Sequence, residues 1–357
     1  MNHEDPVLLH TQGRVRHLIL NRPRALNALN HAMVVRVDEA LADAERDDSI
    51  TAVLITGAGE RGLCAGGDIR SIHDDARAGG GTSLDFWRDE YRLNARIARF
   101  PKPYVAIMDG IVMGGGVGIS AHGDIRVVTE RSRIAMPETG IGFVPDVGGT
   151  HLLGAAPGEL GIHLALTADA VGAADALLCG LADHFVPSQR LAGLTAALAD
   201  CGTAAEIEET VRRYASPAPQ GELAAHREWI DSCYRADTVE EITDRLDRSG
   251  VPAAKEAAEA ILGKSPTALK VTLSALRRAR GLGSLEAVLD QEYRTSCTAF
   301  TRPDLVEGVR AQIIDKDRDP RWSPASLAEV TEADVALFFA PLGDRELGLT
   351  AAPGATA

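Results

Sequence analysis

Residues 103–120 read PYVAIMDGIVMGGGVGIS. The first ten positions, mostly apolar and β-prone around Asp109 and Gly110, predict a strand. Gly114, Gly115 and Gly116 then lead into a short helical run that continues through residue 123. A strand that ends in glycines and opens a helix presents unpaired backbone N–H groups and the positive end of a helix dipole, which suits a phosphate or a developing oxyanion.

Formally, Gly116, Gly118 and Ala121 match the dinucleotide fingerprint G-x-G-x-x-A. The surroundings do not fit it. About eight residues separate this loop from the next strand, IRVVTE, which is too few for a crossover helix. The acid that closes that strand, Glu130, also comes too early to meet a ribose.

Upstream, the same order of elements recurs. TAVLITGAG (51–59) predicts a buried strand followed by a second glycine-rich turn, GLCAGGDIRSI (62–72), in which Asp68 is placed to cap a helix. HAMVVRVDEALADAERD (31–47) repeats Val34, Val37, Ala40, Leu41 and Ala44 at helical spacing, and DFWRDEYRLNARIARF (85–100) is also helical. Strands alternating with helices predict an α/β fold with a largely parallel sheet. Beyond about residue 200 the pattern changes to helices separated by Pro, Gly and Asp breaks. The expected organisation is a core over 1–200, a helical region over 201–345 and a disordered tail over 346–357.

Net charge is −14, which disfavours nucleic acid and anionic lipid as partners, and no apolar run is long enough to span a bilayer. The five cysteines are odd in number and scattered, with no C-x-x-C pair, so neither a disulfide framework nor a zinc site is expected. The opening MNHEDPVLLHTQGRVRH has neither a basic-then-apolar leader nor an Arg-rich, acid-poor one, and a cytoplasmic location is expected.

Two glycine turns that each offer one N–H suit polarisation of a carbonyl. No G-x-S-x-G elbow supplies a serine nucleophile, so the chemistry falls to carboxylates. In MPETGIGFVPDVGG (136–149) the ionisable groups are Glu138 and Asp146, set among apolar and turn residues. Burial and mutual repulsion should separate their pKa values, giving an acid and a base.

NRPRALNALN, GLCAGGDI, PYVAIMDGIVMGGGVGIS, MPETGIGFVPDVGGTHLL and SPTALK occur in this order, and together they resemble the crotonase (enoyl-CoA hydratase/isomerase) superfamily. The resemblance implies a ββα spiral core, an acyl-CoA thioester as substrate, and an oxyanion hole from Gly67 (or Gly66) and Gly115. Hydratases of this superfamily carry one catalytic Glu where this chain has Gly118; the other is matched by Glu138. Asp146 stands where hydratases usually have Gly.

That exchange, with FWRDEYRLN and DPRWSPASLAEVT, resembles the 3-hydroxyisobutyryl-CoA hydrolase branch. The branch implies Glu138 and Asp146 as catalytic groups and Glu90 as a substrate contact, with Ala65, Gly66, Gly115 and Arg24 also lining the substrate; Arg22 is a further candidate for the CoA phosphates. It implies no metal or redox cofactor, and leaves the assembly open between a monomer and a trimer or hexamer. DKDRDPRW (315–322) is less basic than in relatives of this branch. Two other readings remain at this point: a hydratase or isomerase working with one Glu, and a non-catalytic acyl-CoA-binding scaffold.

Overall fold

The structure is a computed structural model describing residues 5–350. Among these, nine strands form: β1 (Val7–Gln12), β2 (Val15–Leu20), β3 (Ala52–Gly57), β4 (Gly62–Cys64), β5 (Tyr104–Met108), β6 (Ile111–Met113), β7 (Ile125–Val128), β8 (Arg133–Ala135) and β9 (His184–Phe185). The helices up to the end of the strand-bearing part are α1 (His31–Arg46), α2 (Ile69–Ala78), α3 (Thr82–Ala98), α4 (Gly115–Gly118), α5 (Gly149–Ala155), α6 (Leu160–Thr167), α7 (Ala173–Leu178) and α8 (Leu191–Ala199). They are followed by α9 (Ala204–Tyr214), α10 (Leu223–Tyr234), α11 (Val239–Arg248), α12 (Pro252–Leu262), α13 (Pro266–Leu282), α14 (Leu285–Phe300), α15 (Pro303–Val309) and α16 (Glu332–Leu337).

The chain divides into two compact units, each assembled from separate stretches. Among the described residues, the first comprises 5–68, Leu93–Ala135 and Ala170–Glu222; the second comprises Ile69–Arg92, Met136–Asp169 and 223–350.

All nine strands lie in the first unit. Six form one sheet in the order β1-β2-β3-β5-β7-β9, and β4, β6 and β8 form a second. Every pairing is parallel except the β1–β2 hairpin. Successive strand pairs therefore wind as a spiral, since β3, β5 and β7 enter the large sheet and β4, β6 and β8 follow each of them into the small one. The expected ten-residue strand at 103–112 is two strands, because Gly110 at φ 66° turns the chain from one sheet to the other. The three-residue strands of the small sheet carry no readable alternation, and β4 and β8 gave no strand signal of their own.

Parallel register places Leu54, Val105 and Ile125 side by side, with Ile107 beside Val127. Together with Val186 and Leu194, Leu198, Ile207 and Val211 from α8 and α9, they form a buried apolar core. Helix α1 packs on β1–β3 through its Met33, Val34, Val37, Ala40, Leu41 and Ala44 face. The side chain of Asn30 caps this helix by accepting from the Met33 N–H.

The second unit is helical. Helix α13, capped by Ser265 with Pro266 in its first turn, packs against α5, α6, α11, α14 and α16. From the stretch expected as a tail, Glu346 pairs with Arg294 at 2.9 Å, and Leu349 and Thr350 N–H donate to Asp290 at 2.9 and 3.0 Å. Residues 351–357 lie outside the described residues.

In the first unit, α4 rests directly on β4: a Cβ added at Gly116 would stand 2.3 Å from the Cys64 carbonyl oxygen. Gly116→Ala should therefore lower unfolding free energy by about 1–3 kcal/mol. Gly281→Ala, with no neighbour within 4 Å of the new methyl, should leave it unchanged or slightly raised. Thermal unfolding of the two variants checks this, and equal midpoints would refute the close approach.

Candidate active site

The first unit carries the two glycine turns. Leu29 N–H donates to the Gly66 carbonyl at 2.8 Å and Asp68 N–H to the Leu29 carbonyl at 2.7 Å. This bridge engages the residues on either side of Gly67 and turns the Gly67 amide away from it. Gly66 has φ 108°, and a Cβ there would meet the Met113 carbonyl oxygen at 3.2 Å and the Gly115 nitrogen at 3.7 Å, so the two turns approach backbone to backbone. Among the described residues, neither the Gly67 nor the Gly115 N–H has an acceptor. Two such amides on facing backbones are what a carbonyl oxygen gaining negative charge requires.

Of the other residues that the resemblance assigned to substrate, Ala65 is half-buried and donates its N–H to the Leu26 carbonyl at 3.0 Å. Arg24 is exposed. Arg22 is engaged internally, donating to Asp68 at 2.8 Å and to the Ala28 carbonyl at 2.6 Å. Asp68 is thus an ion-pair partner that ties the 22–28 turn to the second glycine turn.

The acids belong to the second unit. Glu138 opens a 3-10 turn over Glu138–Ile141, closed by Gly142 at φ 70°, where a side chain would collide with the Asp304 carbonyl. Asp146 follows Pro145, and Glu90 lies on α3. All three are buried, at 6%, 5% and 2% exposure, and no cation pairs with any of them among the described residues. The Trp87 ring stacks on Phe143 at 5.1 Å and meets Phe300 edge-on, so the apolar enclosure expected around the 138–146 stretch is supplied mainly by aromatic rings.

Burial without a counter-charge disfavours the ionised forms. Desolvation, then the charge of Asp146, raises both Glu90 and Glu138 well above the usual carboxylate range. Asp146 is pushed up to about 7, again chiefly by desolvation, with partial relief from the Tyr91 hydroxyl, which donates to Asp146 Oδ2 at 2.6 Å. Oε1 of Glu90 and Oε2 of Glu138 have no hydrogen-bond partner among the described residues. The cluster can therefore hold and exchange protons near neutral pH.

Sequence reasoning missed three supporting groups. Ser296 Oγ lies 2.7 Å from the Tyr91 hydroxyl oxygen and donates to it, since that hydroxyl's own hydrogen goes to Asp146. Glu292 is fully buried and accepts from Gly148 N–H at 2.6 Å, Thr150 N–H at 2.8 Å and Thr150 Oγ1 at 2.6 Å. A signal existed: Leu285, Val288, Leu289, Glu292 and Ser296 fall on one stripe of α14, and polar residues on an apolar stripe need partners. Two aspartates of the 315–322 stretch are neutralised from just upstream, because Arg310 pairs with Asp315 at 2.9 Å and Asp317 at 2.6 Å.

A parallel ββα spiral with two approaching glycine amides and a buried carboxyl cluster defines the crotonase class, and the chain belongs to the enoyl-CoA hydratase/isomerase family, whose model matches residues 15–339. Among its relatives, the rat protein named 3-hydroxyisobutyryl-CoA hydrolase, mitochondrial, is 42% identical over 96% of this chain and 90% of its own length. The human protein of the same name is 41% identical over the same shares. Among solved structures, one named as a carnitinyl-CoA dehydratase from Mycobacterium thermoresistibile is 53% identical, covers 98% of this chain and 100% of its own, and has a TM-score of 0.92. Another, named as an enoyl-CoA hydratase from Rhodobacter sphaeroides, is 43% identical with TM-score 0.89, covering 96% and 99%.

The raised Asp146 pKa has a consequence for stability. Between the ordinary value of 3.8 and about 7 the folded chain keeps a proton that the unfolded chain releases. Stability from this group is therefore fully present below pH 3.8 and declines as pH rises toward 7. Asp146→Asn should remove this decline, so that between pH 4 and 8 the variant gains on the wild type by on the order of 1–4 kcal/mol. Denaturant unfolding across that range checks it; parallel curves would contradict the buried, proton-holding carboxyl.

Proposed function

We propose that this protein hydrolyses the thioester of 3-hydroxyisobutyryl-CoA, or of a close short-chain 3-hydroxyacyl-CoA, to the hydroxy acid and CoA, a step of valine breakdown. The observation that carries this reading is the acid set. Gly118 stands where a hydratase of this superfamily holds one of its two carboxylates, while Asp146 adds a buried carboxyl beyond Glu138. Relatives at about 41–42% identity over nearly the whole chain bear the hydrolase name and support it.

Hydrolysis requires a polarised carbonyl, an attacking oxygen and a proton for the departing sulfur. The reading assigns the first to the Gly67 and Gly115 amides, each worth about 2.7–4 kcal/mol to a developing oxyanion. A carboxyl pair that shares one proton supplies the other two. In the microstate where Asp146 holds that proton, Glu138 is ionised and takes a proton from water as its oxygen bonds to the carbonyl carbon. The tetrahedral adduct then expels sulfur, and the pair returns a proton to the CoA thiolate.

Attack by Glu138 itself, through a mixed anhydride, uses the same groups. Single turnover in 18O-labelled water separates the routes: attack by water labels the released acid, whereas an anhydride opened at the protein carbonyl leaves the label in Glu138. Glu90, buried with Oε1 unpartnered, is assigned to the substrate's 3-hydroxyl. A cytoplasmic location is part of this proposal; the relatives are named as mitochondrial.

The second reading, hydration or dehydration of an acyl-CoA, is favoured by the names of the two solved structures. A thiol reagent in the assay decides between them. We expect CoA release from 3-hydroxyisobutyryl-CoA, with Glu138→Gln slowing it at least 100-fold while still binding the ester, and with kcat rising with pH through about 7 as the cluster loses its first proton. Loss of crotonyl-CoA absorbance without thiol release would replace this reading with the hydratase one. Tight ester binding without turnover, unchanged in Glu138→Gln, would make the protein a scaffold.

A further inference from the structure

Helix α14 reaches the Asp146 segment twice. Through Glu292 it takes hold of the backbone: one carboxylate accepts from Gly148 N–H, Thr150 N–H and Thr150 Oγ1 at 2.6, 2.8 and 2.6 Å. One turn later, Ser296 donates to Tyr91, whose hydroxyl donates to Asp146 Oδ2. The backbone so held is an unusual one. Val147 has φ 53° and Gly148 φ 80°, and Gly149 N–H closes the turn on the Asp146 carbonyl at 2.6 Å. A β-branched residue in the left-handed region persists when its surroundings over-determine it. Here the acceptors for the amides that follow it come from a helix some 140 residues further along the chain.

We propose that Glu292 is a positioning residue for the hydrolytic reaction, fixing the Val147–Thr150 turn so that the Asp146 carboxyl is presented in one orientation beside Glu138. This rests on the hydrolase reading above and adds a residue to it. The carboxyl of Glu292 is not itself assigned a contact with substrate.

The same helix supplies an internal comparison. Asp290 also accepts from two backbone N–H groups and a threonine hydroxyl, those of Leu349 and Thr350 at 2.9, 3.0 and 2.5 Å. The two clasps share a helix and a chemistry and differ in what they hold. Asp290 holds the backbone at Leu349 and Thr350, whereas Glu292 holds the turn that bears Asp146.

The groups that act electrostatically on Glu292 are acids. Asp146 faces it from the turn, and Glu292 in turn adds to the charge felt by Glu138. On the α3 side stand Glu90, which feels the charge of Asp146, and Tyr91, which is hydrogen-bonded to it, and no cation is paired with any of these groups among the described residues. Replacing Glu292 by glutamine therefore acts through the turn. Burial pushes the Glu292 carboxyl up to about 8, so near neutral pH the exchange alters little charge; what it loosens is the clasp, because an amide has one acceptor oxygen for two N–H donors and a hydroxyl.

The test compares Glu292→Gln with Asp290→Asn in the full chain, reading thiol release, KM, the pH profile of kcat and the thermal midpoint. We expect Glu292→Gln to lower kcat at least 10-fold with KM changed less than 3-fold, and to displace the acid limb of the profile as the Asp146 carboxyl loses its fixed orientation. Glu292→Asp should restore neither limb nor rate fully, its carboxylate being one methylene short. Asp290→Asn should leave kcat and the profile at wild-type values whatever it does to the midpoint. A wild-type rate and profile in Glu292→Gln, or an equal loss of rate in both variants at equal loss of folded protein, would overturn the proposal.

If the wild type itself releases no thiol, the hydrolase reading fails, and the part of this proposal that concerns the turn, that Glu292 orients Asp146, is tested apart from it. The proposal is then decided by titrating the carboxyl carbon of Asp146 in 13C-labelled protein. A changed titration in Glu292→Gln but not in Asp290→Asn sustains the positioning role, and identical titrations end it.

Discussion

Four carboxyl groups, Glu90, Glu138, Asp146 and Glu292, sit inside the second unit with no cation paired to them among the described residues. Removing a carboxylate from water without a counter-charge is the largest electrostatic cost a small region of protein can carry, and proteins avoid it by retaining the proton. The rest of the local structure follows from that constraint. The walls are aromatic and close, as in the Trp87–Phe143 stack, and the compensation comes from hydrogen-bond donors rather than from charge: one phenol for Asp146, and two amides and a hydroxyl for Glu292. A site of this kind exchanges protons near neutral pH because no arginine or lysine holds its acids permanently ionised.

Such a cluster needs a backbone that does not relax. The segment from Glu138 to Thr150 has little regular structure of its own, with one 3-10 turn, three residues in the left-handed region (Gly142, Val147 and Gly148) and the first residues of α5. Its order comes from outside. Gly142 lies against the Asp304 carbonyl, Thr139 Oγ1 donates to the Ala165 carbonyl, Ser265 N–H donates to the Thr139 carbonyl, and α14 holds the far end. The long helical second half of the chain is thus part of the chemistry's support within its own unit and not merely an addition to the core.

Relatives 42–53% identical over nearly the whole chain bear the names of hydrolase, hydratase and dehydratase. The fold supplies a way to hold a thioester and stabilise charge on its oxygen; which bond then breaks depends on where acids stand around it. In this chain Gly118 is one of four buried residues in the single turn of α4 and carries no acid, while Glu138 and Asp146 stand in the 138–146 segment.

The sequence by itself determined the α/β core, the parallel sheet, the helical second half, and the identity of Glu138 and Asp146 as the acids to examine, because these rest on period, on glycine punctuation and on ordered local motifs. It did not show that residues 103–112 make two strands, since a three-residue strand is shorter than any period that could reveal it. It carried Glu292, Tyr91 and Ser296 in plain view, yet could not say what a glutamate on an apolar stripe would meet. Only the tertiary structure decided that these residues converge on Asp146, and that Arg22 is occupied by Asp68. The physical reason is that proton affinity and side-chain orientation in a buried cluster are set by neighbours distant in sequence, whose distances no local pattern encodes.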